Sequence, residues 1–296
     1  MTNSIRIVDG ATSVWLRPPT PSASDAIICA SSELPLAAPR VVGQQRVGRS
    51  GVTDLTSLHD STTFRCRLLV RNDAVGSLGT RHQIADLLRS LTAAHKRPFL
   101  YIQRDGWSGE RRAELRGDSA SYVVDKISAV MLDISLQWVV PAGVLEDPTQ
   151  QVGTLRPTTS HTGRSYPRSY VSGSGWSYTP AGAGSTVTVT SSGTIPTPPI
   201  LRAYGAFTEP VITNLTTGGV IELDAVSVSA GSYLEIDVGA RTVLLNGDPS
   251  LSYYNKINFA TTSWWELQPG ANLISMTTGT QDASCELDVL WNDNFS

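Results

Sequence analysis

The stretch GSYLEIDVGARTVLLNG, residues 231–247, has the alternating pattern of a β-hairpin. Apolar side chains occupy every second position on both sides of a break at Gly239, and Asn246-Gly247 supplies a turn signal at the end. Every second residue of a strand lies on one face of its sheet, so the sequence predicts a buried inner face. The predicted inner positions are Leu234, Ile236, Val238, Val243 and Leu245. The stretch contains no nucleophile, base or metal cluster, which indicates a scaffold, and Glu235 and Asp237 are expected to be solvated.

The region around this hairpin repeats its pattern. Short alternating segments such as STVTVTSSG, PPILRAYG and SCELDVLWND follow one another with Gly, Asn or Pro between them. Several short strands at close spacing, without a helical period, are typical of a β-sandwich or jelly roll. We therefore predict a C-terminal β-sandwich over residues 181–296.

The first 150 residues predict strands with a basic face. In TTFRCRLLVR, residues 62–71, apolar and basic side chains alternate. The expected inner residues are Phe64, Cys66, Leu68 and Val70, and the outer face carries Arg65, Arg67 and Arg71. The segment YVVDKISAVMLDISLQWVV, residues 122–140, predicts further strand. The basic outer face could contact another subunit or nucleic acid, although the aromatic residues expected among the basic ones of a single-strand binder are absent.

One amphipathic helix is predicted among these strands. In GTRHQIADLLRSLTAAHKRP, residues 79–98, Thr80 and Gln83 have the spacing of a capping box, and Pro98 ends the helix. Its apolar stripe consists of Ile84, Leu87, Leu88 and Leu91. A single helix with one apolar face is expected to pack on a sheet.

Composition divides the chain into two halves. Within an overall net charge of −3, the first half is weakly basic and the second acidic. Between them, alternation disappears in a stretch rich in Gly, Ser, Thr and Pro. We therefore predict a domain over 1–150, a linker or arm over 151–180, and the sandwich over 181–296. The weak basic charge does not suit a nucleic-acid-binding domain.

The sequence contains no motif for a metal or cofactor. Four histidines lack ligand spacing, and three cysteines are far apart, so we expect no metal site, no cofactor and buried free thiols. The N-terminus has no signal-peptide pattern, and no apolar run is long enough to cross a membrane. These observations predict a soluble protein that is made in the cytoplasm and has no membrane partner.

Two ligand-directed alternatives remain open. A glycoside hydrolase needs two facing carboxylates, and the acidic strand residues could supply them, although each stands where a solvated carboxylate belongs. These residues are Glu222, Glu235, Asp237, Glu286 and Asp288. A carbohydrate-binding module could stack sugars on Trp264, Trp265 or Trp291. Adjacent strand residues face opposite ways, so only one of Trp264 and Trp265 is expected to be core.

The order and spacing of motifs after residue 195 resemble those of the C-terminal domain of siphophage distal tail proteins. The matching stretches are Pro199-Ile200, 205–214, 217–221, 231–237, 242–247 and 265–272. The phrase GRSYPRSY, residues 163–170, resembles the joint between the two halves of such proteins. The N-terminal part, with its single helix and the phrase RPFLYIQRDG, is compatible with the ring-forming domain of that family.

This resemblance implies a mainly β fold and a structural role. It implies an N-terminal sandwich or barrel related to tail-tube subunits, with one amphipathic helix, and a galectin-like C-terminal β-sandwich. Members form a homohexameric ring at the tip of a long non-contractile tail, between the tail tube and the tail-associated lysin or tip protein. DNA passes through the ring without specific binding, and the outer domain carries receptor-binding proteins or touches host glycans. The resemblance therefore implies no catalysis, a place in the virion and assembly in the host cytoplasm.

Within that resemblance, two sets of residues are candidate contacts. Arg65, Arg67 and Arg71 are candidates for a ring contact or for the lumen face. Trp264, Trp265 and Trp291 are candidates for a glycan or partner contact, and an adhesin or receptor-binding tail component is the alternative function.

Overall fold

The computed structural model describes residues 3–20, 26–35, 39–45, 52–71, 81–93, 95–126, 131–157 and 186–296. They form two compact units: unit 1 comprises Met1–Pro148 with Phe295–Ser296, and unit 2 comprises Thr149–Asn294. The predicted helix cap Thr80 and the joint at 163–170 lie outside the described residues.

Unit 1 contains two antiparallel sheets, a hairpin and a helix. Its elements in chain order are β1 (Ser4–Asp9), β2 (Thr12–Arg17), β3 (Ile27–Glu33), β4 (Pro39–Gln45), β5 (Val52–His59), β6 (Thr62–Arg71), α1 (Arg81–Ser90), β7 (Phe99–Gln103), β8 (Arg111–Glu114), β9 (Arg116–Lys126), β10 (Met131–Val140) and β11 (Leu145–Glu146). One sheet runs β2-β1-β7-β8-β11 within this unit, a four-stranded sheet runs β3-β6-β10-β9, and β4 pairs with β5.

The centre of the four-stranded sheet is the pairing of β6 with β10. The two strands stay in antiparallel register from Thr62 opposite Val140 to Arg71 opposite Met131. The predicted inner residues of β6 are all buried, as are Ile134, Leu136 and Trp138 of β10. Phe64 lies opposite Trp138, and their rings stack with centroids 6.0 Å apart.

Helix α1 packs its apolar stripe against β6 and β10, as predicted. Ile84, Leu88 and Leu91 are buried, and Leu87 packs at the edge of the same core. Two side chains of the sheet also reach the helix backbone. Trp138 Nε1 donates to the carbonyl oxygen of Leu91 at 3.3 Å, and the Tyr122 hydroxyl donates to that of Ala85 at 3.0 Å. The first bond lies just past the C-terminal end of α1 and the second lies in its middle, so together they fix the position of the helix on the sheet.

Unit 2 consists of strands and turns with a short 3-10 helix, Tyr254–Lys256. Its strands are β12 (Gln151–Leu155), β13 (Thr186–Ser191), β14 (Ile200–Tyr204), β15 (Phe207–Thr208), β16 (Val211–Asn214), β17 (Gly219–Glu222), β18 (Ser227–Val228), β19 (Tyr233–Asp237), β20 (Thr242–Leu245), β21 (Gly270–Thr277), β22 (Thr280–Gln281) and β23 (Glu286–Trp291), and the two-residue β24 (Asn294–Phe295) follows at the boundary with unit 1. The sheets run β12-β23-β14-β19-β20, β13-β21-β16-β17 and β18-β15-β22.

The predicted mainly β fold is confirmed, and one boundary is corrected. The two larger sheets contribute alternate side chains to a single apolar core, as a sandwich requires. The linker was predicted to begin at residue 151. Residues Gln151–Leu155 instead form β12 and pair with β23, because Leu155 reaches the core and Thr154 bonds to Asp288. Whether the sandwich is galectin-like stays a prediction.

The hairpin of residues 231–247 forms as predicted, with two corrections. Leu234, Ile236, Val238 and Val243 are buried, and Leu245 packs at the edge of the core. The Asn246-Gly247 turn has positive φ angles of 54° and 69°, whereas at the other turn Arg241, not Gly239, takes the positive φ. Glu235 is not simply solvated, because its carboxylate accepts from Arg202 Nε at 2.8 Å. Asp237 accepts from the Ala240 backbone N–H.

Two asparagines within the matched motifs have a structural use. The side chains of Asn214 and Asn272 are fully buried. The Asn214 side-chain oxygen accepts from the backbone N–H groups of Thr216 and Thr217, which closes the β16–β17 turn. The Asn272 amide bonds to both the N–H and the carbonyl of Gln268. Buried amides that satisfy loop backbone groups hold these loops in one conformation.

The cysteines are free thiols. Cys66 and Cys285 are buried, whereas Cys29 is half-buried. Burial raises the pKa of the Cys66 thiol, and burial together with the charge of Asp282 raises that of Cys285 to about 11. Both buried thiols are therefore protonated and unreactive at neutral pH.

Gly205 provides a test of the backbone contacts in unit 2. Its φ is +89°, and a Cβ there would lie 2.4 Å from the Ser284 carbonyl oxygen. Gly231 has a similar φ of +82° with open space around it. Gly231→Ala should lower the free energy of unfolding by about 1–2 kcal/mol through backbone strain alone. Gly205→Ala should cost a further ~2 kcal/mol, since backbone must also move. Urea denaturation followed by circular dichroism checks this, and equal losses would contradict the close approach.

Candidate assembly surface

The predicted basic strand lies in the middle of a broad polar surface. We call outer face the side of the β3-β6-β10-β9 sheet that is turned away from the core of unit 1. Arg65, Arg67 and Arg71 lie on this face, as predicted, with Arg65 and Arg67 exposed and Arg71 half-buried. The same face carries polar side chains of β10, because Ser135 and Gln137 stand opposite Arg67 and Arg65.

The arginines do not make the outer face uniformly basic. Arg67 binds the Asp133 carboxylate on β10 through Nε, at 3.1 and 2.9 Å from its two oxygens, and through Nη2 at 2.5 Å. The hydrogen bond and charge of Asp133 raise the pKa of Arg67. Arg65 Nε donates to Gln137 at 3.1 Å, and Glu33 lies opposite Arg65 on β3. Asp125 on β9 lies opposite Asp133. The strand is basic, but its neighbours supply the opposite charge.

The acidic partners were not predicted as part of this site. A single strand shows its own alternation but not which residues will be its neighbours across the sheet. Asp133 occupies a polar position in the alternating pattern of β10. That position is the only sequence signal for its contact with Arg67. Its contact with Arg67 depends on the register between β6 and β10, which only the fold determines.

The two margins of this sheet carry exposed apolar side chains. β3 and β9 are the edge strands of the four-stranded sheet. Val123 and Val124 of β9 are 52% and 39% exposed, and Ile28 of β3 is 38% exposed. An edge strand offers unpaired N–H and C=O groups to another chain, and apolar neighbours strengthen such a contact. The outer face and these edges together form a candidate surface for contacts between subunits.

The three candidate tryptophans do not share a surface. Trp265 and Trp291 are 4% and 6% exposed and belong to the core of unit 2, whereas Trp264 is half-buried at its margin. As expected, only Trp265 of the adjacent pair is a buried core residue, although the two residues do not lie on a strand. Trp291 Nε1 donates to Asp293, and the Trp265 ring lies against Gly219, where a Cβ would be 2.6 Å from Trp265 Cβ. Burial leaves Trp265 and Trp291 little ring surface for a sugar, and glycan binding at Trp264 stays a prediction.

The carboxylates considered for a glycosidase each have a protein partner. Glu235 binds Arg202, Glu286 binds Arg156, Asp288 accepts from Thr154, and Glu222 accepts from Thr261. Arg202 stands between Glu235 and Asp288 in one row across three strands. These contacts give the acidic side chains a structural use within the sheet. That the chain is not an enzyme stays a prediction.

The described residues contain neither a metal cluster nor a membrane-spanning helix. No three histidine, cysteine, aspartate or glutamate side chains in the described part of the chain come together as a metal site. None of the helices described is both long and apolar enough to cross a membrane.

The comparisons with known proteins agree with the motifs in unit 2. Residues 192–295 match the family described as siphovirus-type tail component, C-terminal domain. The whole chain has the fold of the Dit protein of phage SPP1, with a TM-score of 0.60 at 10% identity over 99% of each chain. That protein is described as a paradigm of the hub adsorption apparatus in phages that infect Gram-positive bacteria. The predicted resemblance to siphophage distal tail proteins is confirmed.

More distant similarity extends to a phage baseplate. Two structures of the phage P2 baseplate in its activated conformation, with Ca and with Sr, give TM-scores of 0.48 and 0.47 at 13% and 12% identity. The first covers 99% of this chain and 98% of that chain, and the second covers 98% of both. No curated protein matches the sequence. In this distal-tail-like chain the family match lies in unit 2, whereas the candidate assembly surface lies in unit 1.

The contribution of the Arg67–Asp133 ion pair to stability can be compared with that of the neighbouring residue Arg65. The Asp133 side chain is 9% exposed, and removing Arg67 leaves this carboxylate beside Asp125 without its bidentate partner. Removing the cationic partner of a carboxylate that is shielded from water is destabilising. Arg67→Met should therefore lower the urea midpoint of unit 1 clearly more than Arg65→Met, since the hydrogen bond of Arg65 goes to the neutral amide of Gln137. Adding Asp133→Asn to Arg67→Met should restore much of the loss. Equal midpoints for the two single variants would contradict this role.

Proposed function

We propose that this chain is a structural virion protein that forms a homohexameric ring at the tip of a long non-contractile phage tail. The observation that carries the proposal is the family match in unit 2 combined with a whole-chain fold shared with a phage hub protein. The ring would join the tail tube on one side to the tail-tip or baseplate proteins on the other. Its place is then the virion, after assembly in the host cytoplasm.

The exposed sheet edges of unit 1 suit contacts between subunits better than they suit catalysis. A closed ring in which each subunit uses two different surfaces lets one edge of each subunit meet the opposite edge of the next. β9 and β3 are the two margins of one sheet, and both carry exposed apolar residues. Pairing β9 of one subunit with β3 of the next covers both edges at once. Ring closure then leaves no edge of this sheet open, which removes an aggregation hazard.

The mixed charge of the outer face is consistent with a passage for DNA. Arg67 is engaged by Asp133, and Glu33 and Asp125 lie among the arginines. A uniformly basic lining would hold the phosphate backbone, since each phosphate contact adds affinity. Paired charges give a hydrated surface that does not retain DNA. If the outer face lines the lumen, this chain lets DNA pass without specific binding.

The edge contact yields a prediction with a matched control. The wild-type chain should have six times the monomer mass by multi-angle light scattering. Val123→Lys places a charge on the exposed margin of β9 and should shift the protein toward monomer. Val152→Lys changes an edge residue of unit 2 that is even more exposed, at 58%, and should keep the oligomer. A Val123→Lys variant that keeps the hexamer would contradict the edge contact, and a wild-type monomer at high concentration would contradict the ring.

A further inference from the structure

A polar cavity of about 190 Å³ lies within unit 1, between residues of β1, β2 and β7 and residues of β3 and β6. Ile5, Phe64 and Ile102 belong to the buried core and form an apolar part of its wall. The polar part of the wall consists of Asn3, Arg17, Ser32, Gln103 and Arg104. The cavity is separate from the outer face, with which it shares no arginine.

A β-bulge brings Arg17 to this cavity. Arg17 pairs with Ile5, whereas Trp15 pairs with Arg6, so the register shifts by one residue at this point. Cross-strand partners lie on the same face of a sheet, so Arg17 lies on the face of Ile5, which is buried. Without the shift, strict alternation from buried Leu16 would place Arg17 on the opposite face. Bulges commonly redirect a side chain toward a functional position.

Arg104 brings a second guanidinium to the same wall. It follows β7 directly and is exposed, and its guanidinium carbon lies 5.4 Å from the centre of the Trp107 ring. A guanidinium placed over an aromatic face keeps the N–H groups at its edge available to an acceptor. Asn3 contributes a further donor. Its side-chain oxygen already accepts from the Asp105 N–H at 3.2 Å, which leaves its amide N–H groups.

Among the described residues, the cavity wall has two positive charges and no negative one. No carboxylate is among the described residues that line it, and neither Arg17 nor Arg104 has an ion pair with a described residue. Two like charges on one wall repel one another, and an anion bound between them would relieve that repulsion. Ser32 and the amides supply neutral donors to the same space. The described lining therefore offers several donors and no carboxylate to accept from them.

We propose that this cavity binds an oxyanion, with Arg17 and Arg104 as the charged ligands and Asn3, Gln103 and Ser32 as neutral donors. Guanidinium groups bind planar or tetrahedral oxyanions through paired N–H···O bonds, so a carboxylate and a phosphate group are the two chemistries that fit. A carboxylate would come from an acidic side chain of a protein partner. A phosphate would come from a free ion.

Isothermal titration calorimetry of the full chain tests the site. Inorganic phosphate and acetate are the titrated probes, and chloride keeps the ionic strength constant. Wild-type protein should bind at least one probe more tightly than chloride. Arg17→Gln and Arg104→Gln should each weaken that binding at least tenfold, and Arg65→Gln, on the outer face, should leave it within twofold. Arg104 is exposed, so its variant reports on binding even if Arg17→Gln disturbs folding, which circular dichroism monitors.

The results of the titration distinguish a phosphate group from a carboxylate of a protein partner, and two results would overturn the proposed anion site. Binding of phosphate alone assigns a phosphate group, whereas comparable binding of acetate assigns a carboxylate of a partner. Failure of both probes to exceed chloride would overturn the proposal. Equal affinity in wild type and in Arg104→Gln would overturn it as well. None of these outcomes depends on ring formation, so the result is distinguishable from a failure of the proposed function.

Discussion

The unbroken antiparallel register between β6 and β10 is the constraint on which unit 1 depends. It sets Phe64 against Trp138 on the inner side, and Trp138 then holds the end of helix α1 through the Leu91 carbonyl. On the outer side the same register brings Arg67 to Asp133. A slip by one residue would turn the arginines toward the core and the core toward water. Core, helix position and outer face are therefore consequences of one pairing.

The sequence predicted what depends on one strand or one helix at a time. Alternation in residues 62–71 and 231–247 assigned the buried faces correctly, and the apolar stripe of α1 predicted its packing. What it missed depends on neighbours that are distant in the chain. Asp133 is a partner of Arg67 only in the folded register, and the Arg202 pairing with Glu235 was missed for the same reason. The bulge at Arg17 breaks the period on which such predictions depend.

The two units support the functional account in different ways. The family match lies in unit 2. The buried asparagines, close glycine contacts and paired carboxylates of this unit stabilise the sandwich, which explains why these residues belong to the motifs. Unit 1 carries exposed edges and a face of balanced charge, which are features of an assembling subunit. The partnered strand carboxylates in unit 2 show why an acidic strand pattern need not be a catalytic one. Under the proposed function, the chemistry of the chain is that of contacts between surfaces.

Electron microscopy of the purified full-length chain tests the central claim most directly. Class averages should show closed rings with six-fold symmetry around a central opening. Open filaments would contradict the closed ring, and a field of single subunits at concentrations well above those of assembly would contradict the proposed function itself.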